Sequence, residues 1–255
     1  MSHLWNIFQN NAPLFLRGAW VTIYISMIGT IIGLAIGLIL GIVRTIPQPE
    51  RGFKRYFLKT LHFLSTCYIE LFRGTPMIVQ SMVIYYGSAL AFGWDLDRTA
   101  AAIFIVSINT GAYMTEIVRG GIISIDRGQF EGAEAIGMNH WQTMRLVVLP
   151  QVWRNILPAT GNEFVINIKD TSVLNVISVT ELFFQTKTVA GINFDYFGPY
   201  TVASIMYLIL TLTITRILRV MEKRIDGPAH YRMIGGNQNQ IQTAPGQSTD
   251  RGEAR

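Results

Sequence analysis

Apolar residues in this chain come in long runs from which charge is absent, rather than at the spacing of a half-buried helix or strand. Residues 18–43 hold 26 positions without Asp, Glu, Lys or Arg, residues 74–94 hold 21, and residues 196–215 hold 20. A soluble helix interrupts its apolar stripe with polar residues every turn or so, whereas about 20 apolar residues cross the hydrocarbon core of a bilayer. Five segments are expected to cross: about 18–43, 66–92, 99–118, 155–180 and 199–219. The second is interrupted by Glu70 and Arg73, and the fourth carries charges too; both are retained because the surrounding loops make sense only if both cross. The expected fold class is all-α, a polytopic membrane helical bundle of about five transmembrane helices.

Composition and charge narrow the picture. Only 15% of the 255 residues are charged, against roughly 25% in an average soluble domain. With the single cysteine, Cys67, this excludes a soluble enzyme, a disulfide-stapled domain and a disordered chain. With the N-terminus placed outside, 16 of the 21 Lys and Arg residues fall in inner segments and only Arg17, Arg98 and Lys187 fall outside. That is the positive-inside pattern, so the net charge of +5 reports topology and not a nucleic-acid partner. The first run is too long for a signal-peptide core and no small-residue cleavage site follows it, so it reads as a retained span. Residues 1–17 are expected to form a short helix at the outer interface, 18–226 the membrane domain, and 227–255 a disordered inner tail rich in Gln, Asn, Gly and Ser. The scattered histidines suggest no metal site, and Cys67 reads as a small hydrophobe.

Two features carry more than topology. Gly29, Gly33, Gly37 and Gly41 recur every four residues and form one smooth helical stripe, which lets another helix backbone approach, in the same chain or in a moving partner. Residues 119–154 are about 36 long, well beyond an ordinary connection. In them Phe130, Ala133, Ile136 and Gly137 share one helical face, with Glu131 and Glu134 opposite. A second amphipathic run follows, with Trp141, Met144, Val147 and Val148 apolar and Pro150 ending it. Such a helix–turn–helix needs a surface to bury against, either the chain's own spans or a groove on a partner.

Glu131, Ala133, Gly137, Val147, Leu149 and Pro150 fit the pattern E-A-A, three residues, G, nine residues, I-x-L-P. That pattern resembles the coupling motif of permease subunits of ABC importers. The runs Glu70–Pro76, Tyr113–Gly121, Leu149–Gln151 and Lys169–Ser172 resemble the polar amino-acid uptake branch of that family, the histidine/glutamine/arginine permeases. The resemblance runs from about Arg17 to Asp226. One departure is Gly132, where the pattern has Ala, a change costing up to ~1 kcal/mol of helix propensity.

The resemblance implies a type I ABC importer permease architecture with cytoplasmic coupling helices, in a bacterial plasma (inner) membrane. Two permease chains, identical or homologous, form the pathway within membrane lipid. A dimer of cytoplasmic ATP-binding subunits docks on the 128–150 region, and an extracytoplasmic amino-acid-binding protein delivers polar or charged amino acids. The chain has no G-x-x-x-x-G-K-[ST] loop, so it is expected to bind no cofactor itself, with ATP and Mg held by the partner. Glu131 is expected to sit near the start of the docking helix, Gly132, Ala133 and Gly137 to allow close packing, and Leu149 and Pro150 to set the angle into the fourth span.

Ionisable residues inside spans are costly and face protein interiors or aqueous paths. Asn109, Asn162, Glu163, Asn167, Lys169 and Asp170 are the substrate-path candidates, Glu163, Asn167 and Asp170 forming an i, i+4, i+7 stripe. Glu70 with Arg73, and Glu116 with Arg119, read as local gate or structural pairs. A stand-alone secondary transporter or channel is the alternative, weakened by the lack of an inverted repeat. An intramembrane enzyme lacks H-E-x-x-H and G-x-S-x-G.

Overall fold

The computed structural model describes residues 2–47 and 52–238, and every regular element among them is helical. Nine α-helices follow one another: α1 (Ser2–Val43), α2 (Phe53–Gly74), α3 (Met77–Phe92), α4 (Arg98–Ile123), α5 (Arg127–Ala135), α6 (His140–Thr143), α7 (Leu149–Asp170), α8 (Leu182–Asn193) and α9 (Phe197–Gln238). A π-helical stretch, Met144–Val148, joins α6 to α7, and a 3-10 stretch, Thr171–Ile177, follows α7. Among the described residues, three helices are long and apolar enough to cross a membrane alone, over His3–Val43, Arg98–Ile123 and Phe197–Arg224.

The bundle is organised on the parallel pair α1 and α4. A methyl group built on Gly29 would lie 2.5 Å from Val106 Cγ1, on Gly33 2.8 Å from Thr110 Cβ and on Gly41 2.7 Å from Val118 Cγ1; on Gly37 it would overlap Met114 Cβ. Residues 29, 33, 37 and 41 thus meet 106, 110, 114 and 118 in order, i to i+4 against i to i+4. The glycine stripe is therefore a seam within this chain, and absence of side chains on one helix is what admits the other. Ile25, Ala102, Ile105 and Leu174 close one end of the pair. At the other, the loop end, Val118, Ile122, Met144, Val148, Val152 and Ile156 pack together.

Several expectations change. The separate helix expected over 1–17 is instead the first turns of α1, which runs unbroken from Ser2 with Pro13 inside it. Its apolar residues Ile7 and Phe15 pack on α8 and α9, with Leu182, Val189 and Val202. The second expected span is two helices, because Pro76 cannot donate a backbone hydrogen bond and starts α3 at φ −66° and ψ 137°. The carbonyls orphaned at this break are taken by the buried Gln80, whose Nε2 donates to the Phe72 and Thr75 oxygens at 2.9 Å. Expected to close the amphipathic run, Pro150 lies in the first turn of α7, where a missing N–H costs nothing. α8 falls in a stretch expected to be a plain outer connection. The expected disordered tail begins too early: α9 continues helically to Gln238, and 239–255 lie outside the described residues.

Candidate functional site

The loop-end segment is built from capped short helices. Asp126 Oδ1 accepts from Gly128 N at 2.7 Å and starts α5. The helix ends in a Schellman motif, with Gly137 N donating to Glu134 O at 2.9 Å and Met138 N to Ala133 O at 3.0 Å. Gly137 has φ +81°, a left-handed conformation for which glycine carries no Cβ penalty. Asn139 and Gln142 form a reciprocal capping box at the start of α6. A π-helical turn then feeds directly into α7, a feature frequent at functional positions.

This segment has an anchored side and an open side. Ala133 and Thr143 are buried, and Met144 and Val148 pack against the ends of α4 and α7. Ile136 is 75% exposed, Trp141 63% and Leu146 60%. Glu131, Gly132 and Glu134 are exposed too, and nothing lies within 4 Å of a methyl built on Gly132 or Gly137. The sequence left two surfaces for the amphipathic pair to bury against. One face is spent on the chain's own spans, while the other, with two carboxylates and a tryptophan, has no partner among the described residues.

Beside that segment lies a charge cluster. Arg119 Nη2 and Nε reach Glu116 Oε2 at 2.9 and 3.2 Å, and Arg44 Nη1, just beyond α1, reaches Glu116 Oε1 at 3.3 Å. The expected Glu116–Arg119 pair thus has a third member, and ties the end of α1 to α4. The expected Glu70–Arg73 pair is not among the ion pairs of the described residues. Both side chains are exposed on α2, and the Arg73 guanidinium lies 5.3 Å from the centre of the Tyr113 ring, in cation–π contact.

The path candidates separate into two groups. Asn167, expected on a lining stripe, is 4% exposed. Its Nδ2 donates to Thr30 Oγ1 at 2.8 Å and Thr110 Oγ1 at 3.0 Å, joining α7 to both members of the central pair. A side chain so enclosed is interior glue, because α1 and α4 cover that part of the α7 face. Asn109 Nδ2 donates to Gln80 Oε1 at 2.9 Å and belongs to the stitching of the α2–α3 break. Asn162, Lys169 and Asp170 are exposed and Glu163 half-buried, all on α7. Lys169 borders a cavity of about 430 Å³ with Ser172, Phe183, Ser204, Tyr207 and Thr211.

One residue with no sequence signal strong enough to single it out is Glu181, which is fully buried. It caps α8, accepting from Phe183 N at 2.8 Å and Phe184 N at 2.7 Å, and it accepts from Tyr207 Oη at 3.0 Å. An acidic residue before an apolar run is a weak capping signal, and its partner on α9 is invisible without the fold. Among the described residues no group of three or more His, Cys, Asp or Glu converges to hold a metal.

Comparison with known proteins agrees with this geometry. The glutamine transport system permease protein GlnP of Escherichia coli (strain K12) is 38% identical over 223 residues, covering 87% of this chain and 97% of that protein. The arginine transport system permease protein ArtQ of Bacillus subtilis (strain 168) is 32% identical over 163 residues, 64% of this chain and 74% of its own length. Among solved structures, an amino acid ABC transporter crystallised with histidines superposes with a TM-score of 0.76 at 33% identity, covering 85% of this chain and 96% of that one. The MetNI methionine ABC transporter, inward facing, shares the fold at a TM-score of 0.69 and 18% identity, over 83% of this chain and 96% of that one. The binding-protein-dependent transport system inner membrane component family matches residues 33–227. With that match spanning most of the chain and GlnP 38% identical along nearly its whole length, the chain belongs to this family of transport-system membrane components.

Proposed function

We propose that the chain is the permease of an importer for polar or charged amino acids, working as a dimer of permease chains and driven by ATP hydrolysed on partner subunits. The observation that carries the coupling part is the open face of α5 and α6, which sets Glu131, Ile136 and Trp141 in solvent while Met144 and Val148 fix the segment to α4 and α7. A motion imposed on such a loop passes into both helices. Glu131 and Trp141 meet a groove on a cytoplasmic ATP-binding subunit, which places the loop end and the C-terminus inside and Ser2 outside. The distribution of Lys and Arg supports this orientation.

Glutamine and arginine permeases among the relatives support an amino-acid cargo, which an extracytoplasmic binding protein delivers. Asn162, Glu163, Lys169 and Asp170 line the path on α7, where charged and amide groups compensate the ammonium and carboxylate of a desolvated amino acid. Asn167 and Asn109 support that wall from behind. The Arg44–Glu116–Arg119 cluster closes its cytoplasmic end, and ATP with Mg remains on the partner.

The test is the double variant Glu131→Lys/Gly137→Leu, assayed in proteoliposomes holding the chain, its ATP-binding subunit and the binding protein. Charge reversal removes the carboxylate, and a leucine at φ +81° disrupts the α5 C-cap. The variant chain inserts into the membrane but loses its ATP-binding subunit on purification, and uptake falls at least tenfold. Wild-type uptake by that variant sinks the docking role.

A further inference from the structure

The transport reading leaves the Glu181 carboxylate without a task. A sealed carboxylate inside an apolar bundle is costly unless fully hydrogen bonded, and Glu181 is 0% exposed. Two of its three bonds, from Phe183 N and Phe184 N, cap α8. Ser, Thr, Asp or Asn would serve that purpose with a shorter side chain. The third bond, from Tyr207 Oη at 3.0 Å, is one the cap does not need. The longer glutamate reaches across to α9 and makes it.

Nor is that bond needed to keep α8 in place. Leu182 N donates to Thr22 Oγ1 at 3.2 Å, and a methyl built on Gly18 would lie 2.8 Å from Leu182 Cα, so α1 and α8 already touch through backbone. Leu182 and Val189 are buried with Phe15 and Val202. What the Glu181–Tyr207 bond does set, together with the Thr22 hydroxyl that also bonds Tyr207, is the direction of the Tyr207 ring. That ring forms part of the wall of the cavity of about 430 Å³ shared with Lys169, Ser172, Ser204 and Thr211. Lys169 has no ion pair among the described residues, and four hydroxyls surround its cavity.

The segment carrying Glu181 is bracketed by unusual backbone. Ser178 at φ 61° and Phe194 at φ 49° are the two non-glycine residues with positive φ among the described residues. Left-handed conformations of such residues are strained and cluster at clamps and switches. Residues 179–193 are thus a unit held at both ends by strained joints and pinned to α9 through Glu181.

We propose that Glu181 is a positioning residue for transport: through its bond to the Tyr207 hydroxyl it fixes the wall of the Lys169–Ser172 cavity, so that passage of the amino acid depends on this pair. The proposal rests on the reading that this cavity belongs to the translocation path.

The experiment uses the complete complex in proteoliposomes, with uptake of radiolabelled glutamine or arginine, whichever the wild type transports, measured beside ATP hydrolysis. Tyr207→Phe removes the hydroxyl and leaves the α8 cap intact; Glu181→Gln removes the charge and keeps an acceptor. Both variants assemble and retain hydrolysis stimulated by the loaded binding protein, while amino acid moved per ATP falls at least fivefold. The double variant is no worse than the more impaired single one. Tyr207→Phe with wild-type transport per ATP overturns the proposal. So does a proportional fall of uptake and hydrolysis with a lower melting temperature, which is the signature of a structural role alone. Ser172→Phe, which fills the cavity, separates the two readings. If it blocks uptake while Tyr207→Phe does not, only the positioning role fails; if Ser172→Phe transports normally, the cavity is off the path and both fail.

Discussion

Gly37→Ala tests the central seam most severely. A methyl there would overlap Met114 Cβ, and would sit 2.7 Å from the Met114 carbonyl carbon and 3.0 Å from Thr115 N. Carbon atoms pack best at about 3.5–4.0 Å, and two of the three obstructing atoms are backbone, which cannot swing aside. The helices must therefore separate by roughly 1 Å, which also loosens the contacts at Gly33 and Gly41. Overpacking of this kind costs about 1–3 kcal/mol, and alanine returns up to ~1 kcal/mol of helix propensity. A net loss of up to about 2 kcal/mol remains, or up to roughly 8 °C in melting temperature for a chain of this size. Gly29→Ala should cost less, because its nearest backbone obstacle is Ser107 N at 3.7 Å. Gly132→Ala, with nothing within 4 Å, should be neutral or slightly stabilising. Thermal unfolding of the purified complex in detergent, with uptake beside it, gives the ranking. A Gly37→Ala protein that melts at or above wild type refutes the seam as the organising contact.

The interior node makes a second prediction: Asn167→Ala strips Thr110 of its side-chain partner, and leaves Thr30 only its bond to the Ser26 carbonyl. Interhelical hydrogen bonds in membranes contribute about 0.6 kcal/mol on average and up to ~1.7, so denaturant titration should show a loss of about 1 kcal/mol, and no loss would remove the node's role. Asp195, in the α8–α9 turn, is held below the usual aspartate value chiefly by the Gly198 N–H and next by the His3 side chain, which it meets at 3.0 Å. Because its folded value is depressed, this contribution is present above the unfolded aspartate value of 3.8 and is lost as pH falls through the lower folded value. Acid titration of the wild type should show that step and Asp195→Asn should lack it; an identical acid limb in the two proteins contradicts the assignment.

Three of the five expected spans, 18–43, 99–118 and 199–219, were legible because crossing a bilayer is a demand on composition and length, and runs such as 18–43 answer it directly. The glycine stripe was legible as a stripe, but its partner was not. Val106, Thr110, Met114 and Val118 look like any apolar helix face until α1 lies on them. Pro76 was in plain view, yet the hydropathy of 66–92 concealed the break, since two helices stitched by Gln80 leave the same apolar total as one. α8 was missed because Lys187 interrupts it and the stretch that carries it is bounded by Ser178 and Phe194, which advertise no left-handed bend as glycine would. The paired short helices of the 119–154 segment were readable from their amphipathic pattern, whereas the division of their apolar positions between the bundle and solvent needed the fold. Asn167 misled for a simple reason: helical spacing gives the face of α7, and only packing says what covers it.

The parallel course of α1 and α4 has a mechanical consequence. Two rods free to slide past each other bend independently, but rods locked against slip along their common length resist bending together. Four interlocked glycine positions, the Asn167 node and the Arg44–Glu116 bridge supply that lock. A push on the loop packed against Val118 and Ile122 would therefore tilt the pair as one lever instead of dissipating in flexure. The displacement would emerge across the membrane at Ile25 and Ala102, beneath the strained joint at Ser178.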